Sequence, residues 1–313
     1  MRAVALAEQP PPPSWGVEVD DRALAREADR WSAVPIEPPG WDYPGLPRDL
    51  GGEAWFDFCG TACSVVACLW PPEGEPAWEV EHEGRWLTDA PALFACFTSA
   101  RVGDLRRFLG WTEEDARAFF AGRGTLQLLP ERRARLQALA EAVLDRWKGR
   151  FGNLVEEAGF HAPEVVERLV ESVPGYRDEA ETTAGLLRFN KLAHLAAAMM
   201  AARSDKPFTG LAGFPVYPDY MLPRALRWLG ILHYQPDLAE AVDRRRLIPS
   251  GSVWELGMRW ATVNAAEELR RALNRRGNPV ITPALDYHLW HMAVLGDQAA
   301  LMGEHHRTLT LAY

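Results

Sequence analysis

This sequence predicts a mainly α-helical fold with one small β element near residues 78–87. Three observations carry that expectation. From residue 89 onward, apolar residues recur at helical spacing in segment after segment. Only Trp-Glu-Val-Glu-His-Glu-Gly-Arg-Trp-Leu, residues 78–87, alternates about a turn, at Glu83-Gly84-Arg85. And 313 residues, 48% of them hydrophobic, suffice for the core of one large domain or two closely packed ones.

In chain order, Pro10 to Pro13 forbid a helix near the start, and residues 20–33 read as a short helix. Residues 34–50 hold five prolines and two glycines, which predicts an extended loop. Residues 55–70 are apolar and long, better as a buried helix than as a strand. Short helices are expected at 91–99, 103–109 and 113–120. A long one follows at 130–147, burying Leu136, Leu139, Ala140 and Val143, and another at 163–173 with Pro163 in its first turn. Residues 182–202 read as the most apolar helix, with Ala184, Leu187, Lys191, Leu195 and Ala198 on one stripe. Residues 231–234 read as a short link. Helices at 237–245, 253–273 and 283–295 complete the set, the last with Thr282 as its cap. The tail, 307–313, reads as a strand or a buried segment. Residues 1–50 are thus an N-terminal helix with a proline-rich stretch, and 51–313 a helical domain.

The net charge of −9 argues against a protein living on a nucleic-acid backbone, which needs a basic face. A small anionic ligand needs only a local patch. No apolar run reaches membrane-spanning length and no leader pattern is visible, so no membrane partner is expected and the cytoplasm is the expected location. Cys59, Cys63, Cys68 and Cys96 lie in apolar surroundings without a histidine to complete a zinc set, so they read as buried free thiols. The sequence sets no oligomeric state.

The chemistry centres on Phe-Pro-Val-Tyr-Pro-Asp-Tyr-Met-Leu-Pro, residues 214–223. Pro215, Pro218 and Pro223 stiffen a loop that presents Asp219, between Tyr217 and Tyr220, at the mouth of a helix that Gly230 ends. Asp219 is either a cap for that helix or a prepositioned catalytic carboxylate. Lys191, on an otherwise apolar stripe, must snorkel, pair or meet a ligand. Arg177, flanked by Asp178 and Glu179, suits a salt bridge or an anion. His288 and His291 share a helix face, but Asp286 lies about 140° around from His291 at roughly 100° per residue, so no metal set closes and no metal or cofactor is expected. Glu255 and Arg259 are four apart and pair along their helix.

The 214–223 block resembles the Phe-x-Asp-Tyr-x-x-Pro block of queuosine salvage proteins, the queuosine 5′-phosphate N-glycosylase/hydrolase family, with Tyr217 standing where Phe is common. Gly149-Arg150-Phe151-Gly152-Asn153, Val170 to Asp178, Phe189-Asn190-Lys191, Asp286-Tyr287-His288-Leu289-Trp290 and His306-Arg307 follow in the family's order. The resemblance implies an all-helical architecture related to helix-hairpin-helix DNA glycosylases, with the ligand in a cleft between helical layers. It implies a small-molecule substrate, queuosine 5′-phosphate, cleaved to release queuine. Asp219 would stabilise or trap the oxocarbenium-like sugar. Tyr217 and Trp290 would stack on the base, with Tyr220 beside them. Asp286 and the position of His291 would contact the base, and Lys191 or Arg177 would hold the 5′-phosphate. His291 departs from the Asp usual at its position. Two other functions remain open: a non-catalytic queuine or nucleoside carrier, and a base-excision glycosylase acting on nucleic acid.

Overall fold

The structure, a computed structural model, describes residues 1–100 and 103–313. Among them are twelve α-helices and three two-stranded antiparallel sheets. In chain order these are β1 (Val17–Val19), α1 (Asp21–Arg30), α2 (Gly52–Ala62), β2 (Glu79–His82), β3 (Arg85–Thr88), α3 (Asp89–Ser99), α4 (Glu113–Phe119) and α5 (Leu129–Trp147). Then come α6 (Phe151–Glu157), α7 (Ala162–Ser172), β4 (Glu179–Thr182), β5 (Gly185–Arg188), α8 (Lys191–Ala202), α9 (Met221–Trp228), β6 (Leu232–Tyr234), α10 (Pro236–Asp243), α11 (Val253–Arg275) and α12 (Thr282–Val294). The mainly α expectation holds. No helix among the described residues is long and apolar enough to cross a membrane.

The chain forms two compact units. The first gathers Met1–Pro39, Glu179–Lys191 and Leu211–Leu309; the second gathers Gly40–Asp178, Leu192–Gly210 and Thr310–Tyr313. In the first unit α11 is the axis, buried along most of its length. Against it pack α1, β1, α9 and α12, and α12 also packs on α9. Asp20 starts α1 by accepting the Arg22 and Ala23 N–H groups at 2.8 and 2.9 Å, and Ser252 caps α11 through the Glu255 N–H. In the second unit α2 packs on α6 and α3, and α5 on α4 and α6. The β2–β3 hairpin turns at Glu83-Gly84, both with positive φ, as its sequence predicts. All four cysteines lie buried in this unit as thiols outside any disulfide.

Four expectations need correction. The helix expected over 182–202 begins only at Lys191; residues 179–188 form the β4–β5 hairpin. Gly185 has φ +130°, and the Thr182 hydroxyl donates to Gly185 O and accepts from Ala184 N–H, a local bond that replaces the helical one. Ala184 and Leu187 therefore share no helix with Lys191. Secondly, α2 ends at Ala62, and a 3₁₀ turn and irregular chain, with Cys68 at φ +51°, carry residues 63–70. The cause is Arg132, fully buried, whose guanidinium donates to Val65 O, to Ala67 O at 2.6 Å and to Cys68 O at 3.0 Å. Those carbonyls would otherwise be buried unpaired. Thirdly, residues 231–234 are not a mere link: β6 pairs with β1 in the register Val17↔Tyr234, Val19↔Leu232. Finally, Ile281 occupies the cap position of α12, and the buried Thr282 hydroxyl has no hydrogen-bond partner among the described residues. Helix α6, which the sequence reading passes over, starts where the Asp57 carboxylate accepts the Phe151 N–H at 2.8 Å.

Candidate active site

The loop before α9 is built as its prolines require. Residues 214–219 have no regular structure, and the helix starts at Met221 with Pro223 in its first turn. It stops at Gly230, φ +73°, whose N–H returns to Arg227 O. Asp219 is 7% exposed. Its Oδ1 accepts the N–H groups of Met221 (2.7 Å) and Leu222 (3.0 Å), both otherwise orphaned at the helix start. Its Oδ2 has no hydrogen-bond partner among the described residues. One oxygen does the capping, and the two oxygens are thereby made unlike.

The same loop receives two further anchors. Arg259, 2% exposed, donates from Nε to Pro218 O at 3.0 Å. Glu255, one helical turn back and also buried, takes an Arg259 Nη1–H at 3.2 Å and the Gly251 N–H at 3.0 Å. The Arg259 guanidinium also lies 4.0 Å from the centre of the Phe189 ring. The predicted pair along α11 is thus present, and it holds the carbonyl immediately before Asp219. The second anchor is Asp286 on α12, whose Oδ1 accepts the Tyr217 N–H at 2.6 Å. Asp286 Oδ2, like Asp219 Oδ2, has no hydrogen-bond partner among the described residues.

The electrostatics follow from burial. Desolvation pushes the Asp286 carboxyl well above the usual range; the Tyr217 N–H opposes this, the charge on Asp219 adds to it, and the Lys191 charge opposes it. Lys191 itself is buried at the start of α8. Tyr217 is 2% exposed; its phenol is pushed well above 10 by burial and then by Asp286, and its hydroxyl has no hydrogen-bond partner among the described residues. Tyr220 is buried against the His305 ring at 4.9 Å. His305 Nδ1 lies 2.8 Å from His306 O, which can only accept, so that nitrogen carries the proton. Burial lowers His305 to about 4 and His306 to about 3.

Asp219, Tyr217, Tyr220, Asp286 and Lys191 all belong to the first unit. Hydrogen bonds or Coulomb interactions tie Asp219, Tyr217, Asp286 and Lys191 into one constellation. Trp290 and His291 lie further along α12. Trp290 is half-buried with its ring stacked on Tyr287, and His291 is exposed. His291 lines a cavity of about 560 Å³ with Trp31 and His288. Arg177 is exposed in the second unit, two residues after Gly175. No group of three or more His, Cys, Asp or Glu side chains among the described residues is arranged to hold a metal ion. Sequence reasoning named Arg259 but missed its hold on Pro218, and gave His305 no contact. The signal was an Arg four residues after a Glu in the mostly apolar first half of α11.

Residues 53–313 match the model of the queuosine salvage protein family. The chain is 31% identical over 306 residues to the queuosine 5′-phosphate N-glycosylase/hydrolase of Sphaerobacter thermophilus, covering 95% of this chain and 93% of that protein. It is 24% identical over 292 residues to the protein of the same name from Dictyostelium discoideum, covering 85% and 86%. With the one from Mus musculus it shares 28% over 179 residues, 54% of this chain and 53% of that one. A match over most of the chain and an aligned relative of nearly equal length lead to one conclusion: this chain belongs to the queuosine salvage protein family.

Proposed function

We propose that this chain is a hydrolase that breaks the N-glycosidic bond of queuosine 5′-phosphate and releases queuine. One observation supports the reading: a buried carboxylate, Asp219, is fixed through one oxygen by two backbone N–H groups, and its other oxygen has no hydrogen-bond partner among the described residues. Glycosidic cleavage passes through an oxocarbenium-like sugar, and a preorganised carboxylate stabilises or traps that charge. The demand is large here. An ordinary purine is helped to leave by protonation at N7; a 7-deaza base has carbon there, so more must come from the sugar side and from the contacts that hold the departing base. The loop is anchored at Tyr217, Pro218 and Asp219, so little reorganisation is needed when charge develops.

In this reading Tyr217 and Trp290 stack on the base, with Tyr220 flanking Asp219. Asp286 and His291 contact the base edge. Lys191 or Arg177 holds the 5′-phosphate, by point charge or fork. The acidic balance of the chain suits a mononucleotide better than a duplex.

The test is incubation of the purified protein with queuosine 5′-phosphate, queuosine and GMP, following free base by chromatography. Queuine appears from the phosphate, and Asp219→Asn lowers kcat by about 10³-fold while still binding ligand. Wild-type protein that binds queuine tightly in calorimetry but releases none from any substrate would overturn the hydrolase reading in favour of a carrier.

A further inference from the structure

We propose that Asp286 is the proton donor to the departing base. The inference rests on the hydrolase reading above and adds a second catalytic residue to it. The geometry has two parts. Asp286 Oδ1 is pinned to the Tyr217 N–H at 2.6 Å, and Oδ2 has no hydrogen-bond partner among the described residues. Its anchor lies two residues before Asp219, which is itself pinned through Oδ1, its Oδ2 having no hydrogen-bond partner among the described residues. Two carboxyl groups are therefore fastened to one short loop, each with one oxygen committed to backbone.

Their surroundings set them apart. Asp286 is enclosed and feels the Asp219 charge; the Tyr217 N–H and the Lys191 ammonium oppose that effect, and the Tyr217 phenol is the other titratable group bearing on it. Burial dominates, which favours the protonated carboxyl. A neutral carboxyl with Oδ1 accepting from backbone presents Oδ2–H as a donor. A carboxyl that burial favours in its protonated form, beside a second carboxyl, is the arrangement that lets one act as acid while the other stabilises positive charge.

The step balances as follows. The C1′–N9 bond breaks and its electron pair stays with the base. Asp286 Oδ2–H passes its proton to a ring nitrogen of the base, which leaves neutral. Water adds its oxygen to C1′ and gives one proton to the Asp219 carboxylate. The site resets when Asp219 returns that proton to solvent and Asp286 takes one up. A base without N7 leaves as an anion unless a proton reaches it elsewhere, and that is the need a buried acid meets.

The experiment compares wild type with Asp286→Asn on two substrates, queuosine 5′-phosphate and p-nitrophenyl β-ribofuranoside 5′-phosphate. The nitrophenolate leaves without a proton. Asparagine keeps an acceptor for the Tyr217 N–H, and an unchanged urea midpoint confirms the fold. The expected result is a kcat loss of about 10²-fold or more on queuosine 5′-phosphate and less than about 10-fold on the aryl substrate. Asp219→Asn is expected to lose both. An equal loss of kcat on both substrates, or a raised KM with kcat unchanged, would reduce Asp286 to a binding contact and overturn the proposal. If the aryl substrate is not turned over, the pH profile of kcat decides. Wild type should lose rate on the alkaline side through one ionisation that Asp286→Asn lacks, and an alkaline limb retained in the variant overturns the proposal. Wild type that releases no queuine at any pH refutes the hydrolase reading itself, a failure distinct from these.

Discussion

At Asp219 one oxygen takes two backbone N–H groups and the other has no hydrogen-bond partner among the described residues, and a similar division recurs at Asp286. Tyr217 differs: its ring is enclosed, but its hydroxyl is buried with no hydrogen-bond partner among the described residues. Such a hydroxyl costs about 1–3 kcal/mol in the empty protein. Tyr217→Phe keeps the ring and removes the cost, so the unliganded variant should be more stable by about 1 kcal/mol, read as a higher urea midpoint at unchanged slope. A lower midpoint would show that the hydroxyl has a partner, such as an ordered water. At this scale much was legible. Three prolines in nine residues announce a stiff loop ending in a helix, and the Asp inside it stands out because the rest is apolar or aromatic. What Arg259 holds was not legible, because nothing in the sequence links positions 218 and 259 until α9 and α11 pack.

Elements failed where a local bond or a distant side chain outweighed the apolar pattern. Residues 182–202 count as helical by hydrophobicity, yet Thr182 and Gly185 close a hairpin turn and Asn190, at φ +45°, separates β5 from α8. The Thr-Thr-Ala-Gly run carried that signal, and the apolar count overrode it. Residues 63–70 were harder. Their carbonyls turn to Arg132, more than sixty residues away, which no window of sequence contains. Arg132 holds those carbonyls and Gln127 O together. Arg132→Met removes the donors and leaves several buried acceptors unpaired, and it should cost more than about 3 kcal/mol. Chemical denaturation measures that loss directly; a cost below about 1 kcal/mol would mean that water reaches those carbonyls.

For the molecule as a whole, the two units are interleaved: the chain leaves the first after Pro39, returns at Glu179, and comes back again at Leu211. The proline-rich stretch 34–50 contains the crossing after Pro39, but nothing in the chain order tells which later segments rejoin the first unit. Stability against pH is also a property of the whole chain. Burial raises Asp57 to about 6, against the Phe151 N–H and the Arg150 charge, so between about pH 4 and 6 the folded state holds a proton that the unfolded chain has released. Its contribution is full below pH 4 and is lost as pH rises to 6, by about 3 kcal/mol for a shift of roughly two units. His305 and His306, kept neutral by burial, act in the other direction: stability falls as pH drops below about 6.5, where the unfolded histidines charge and the folded ones do not. Asp57→Asn should remove the first trend and leave the second, seen as unfolding free energies from urea titrations at pH 4.5 and 7; an unaltered difference between the two pH values would show that Asp57 does not titrate there. The enclosure that lifts these acids also covers every cysteine. Cys59, Cys68 and Cys96 are all raised by burial, so the native protein offers alkylating reagents almost no thiolate. Since all four thiols lie in the second unit, a maleimide adduct marks a chain in which that unit has opened, and the natural sequence carries its own counter of such events.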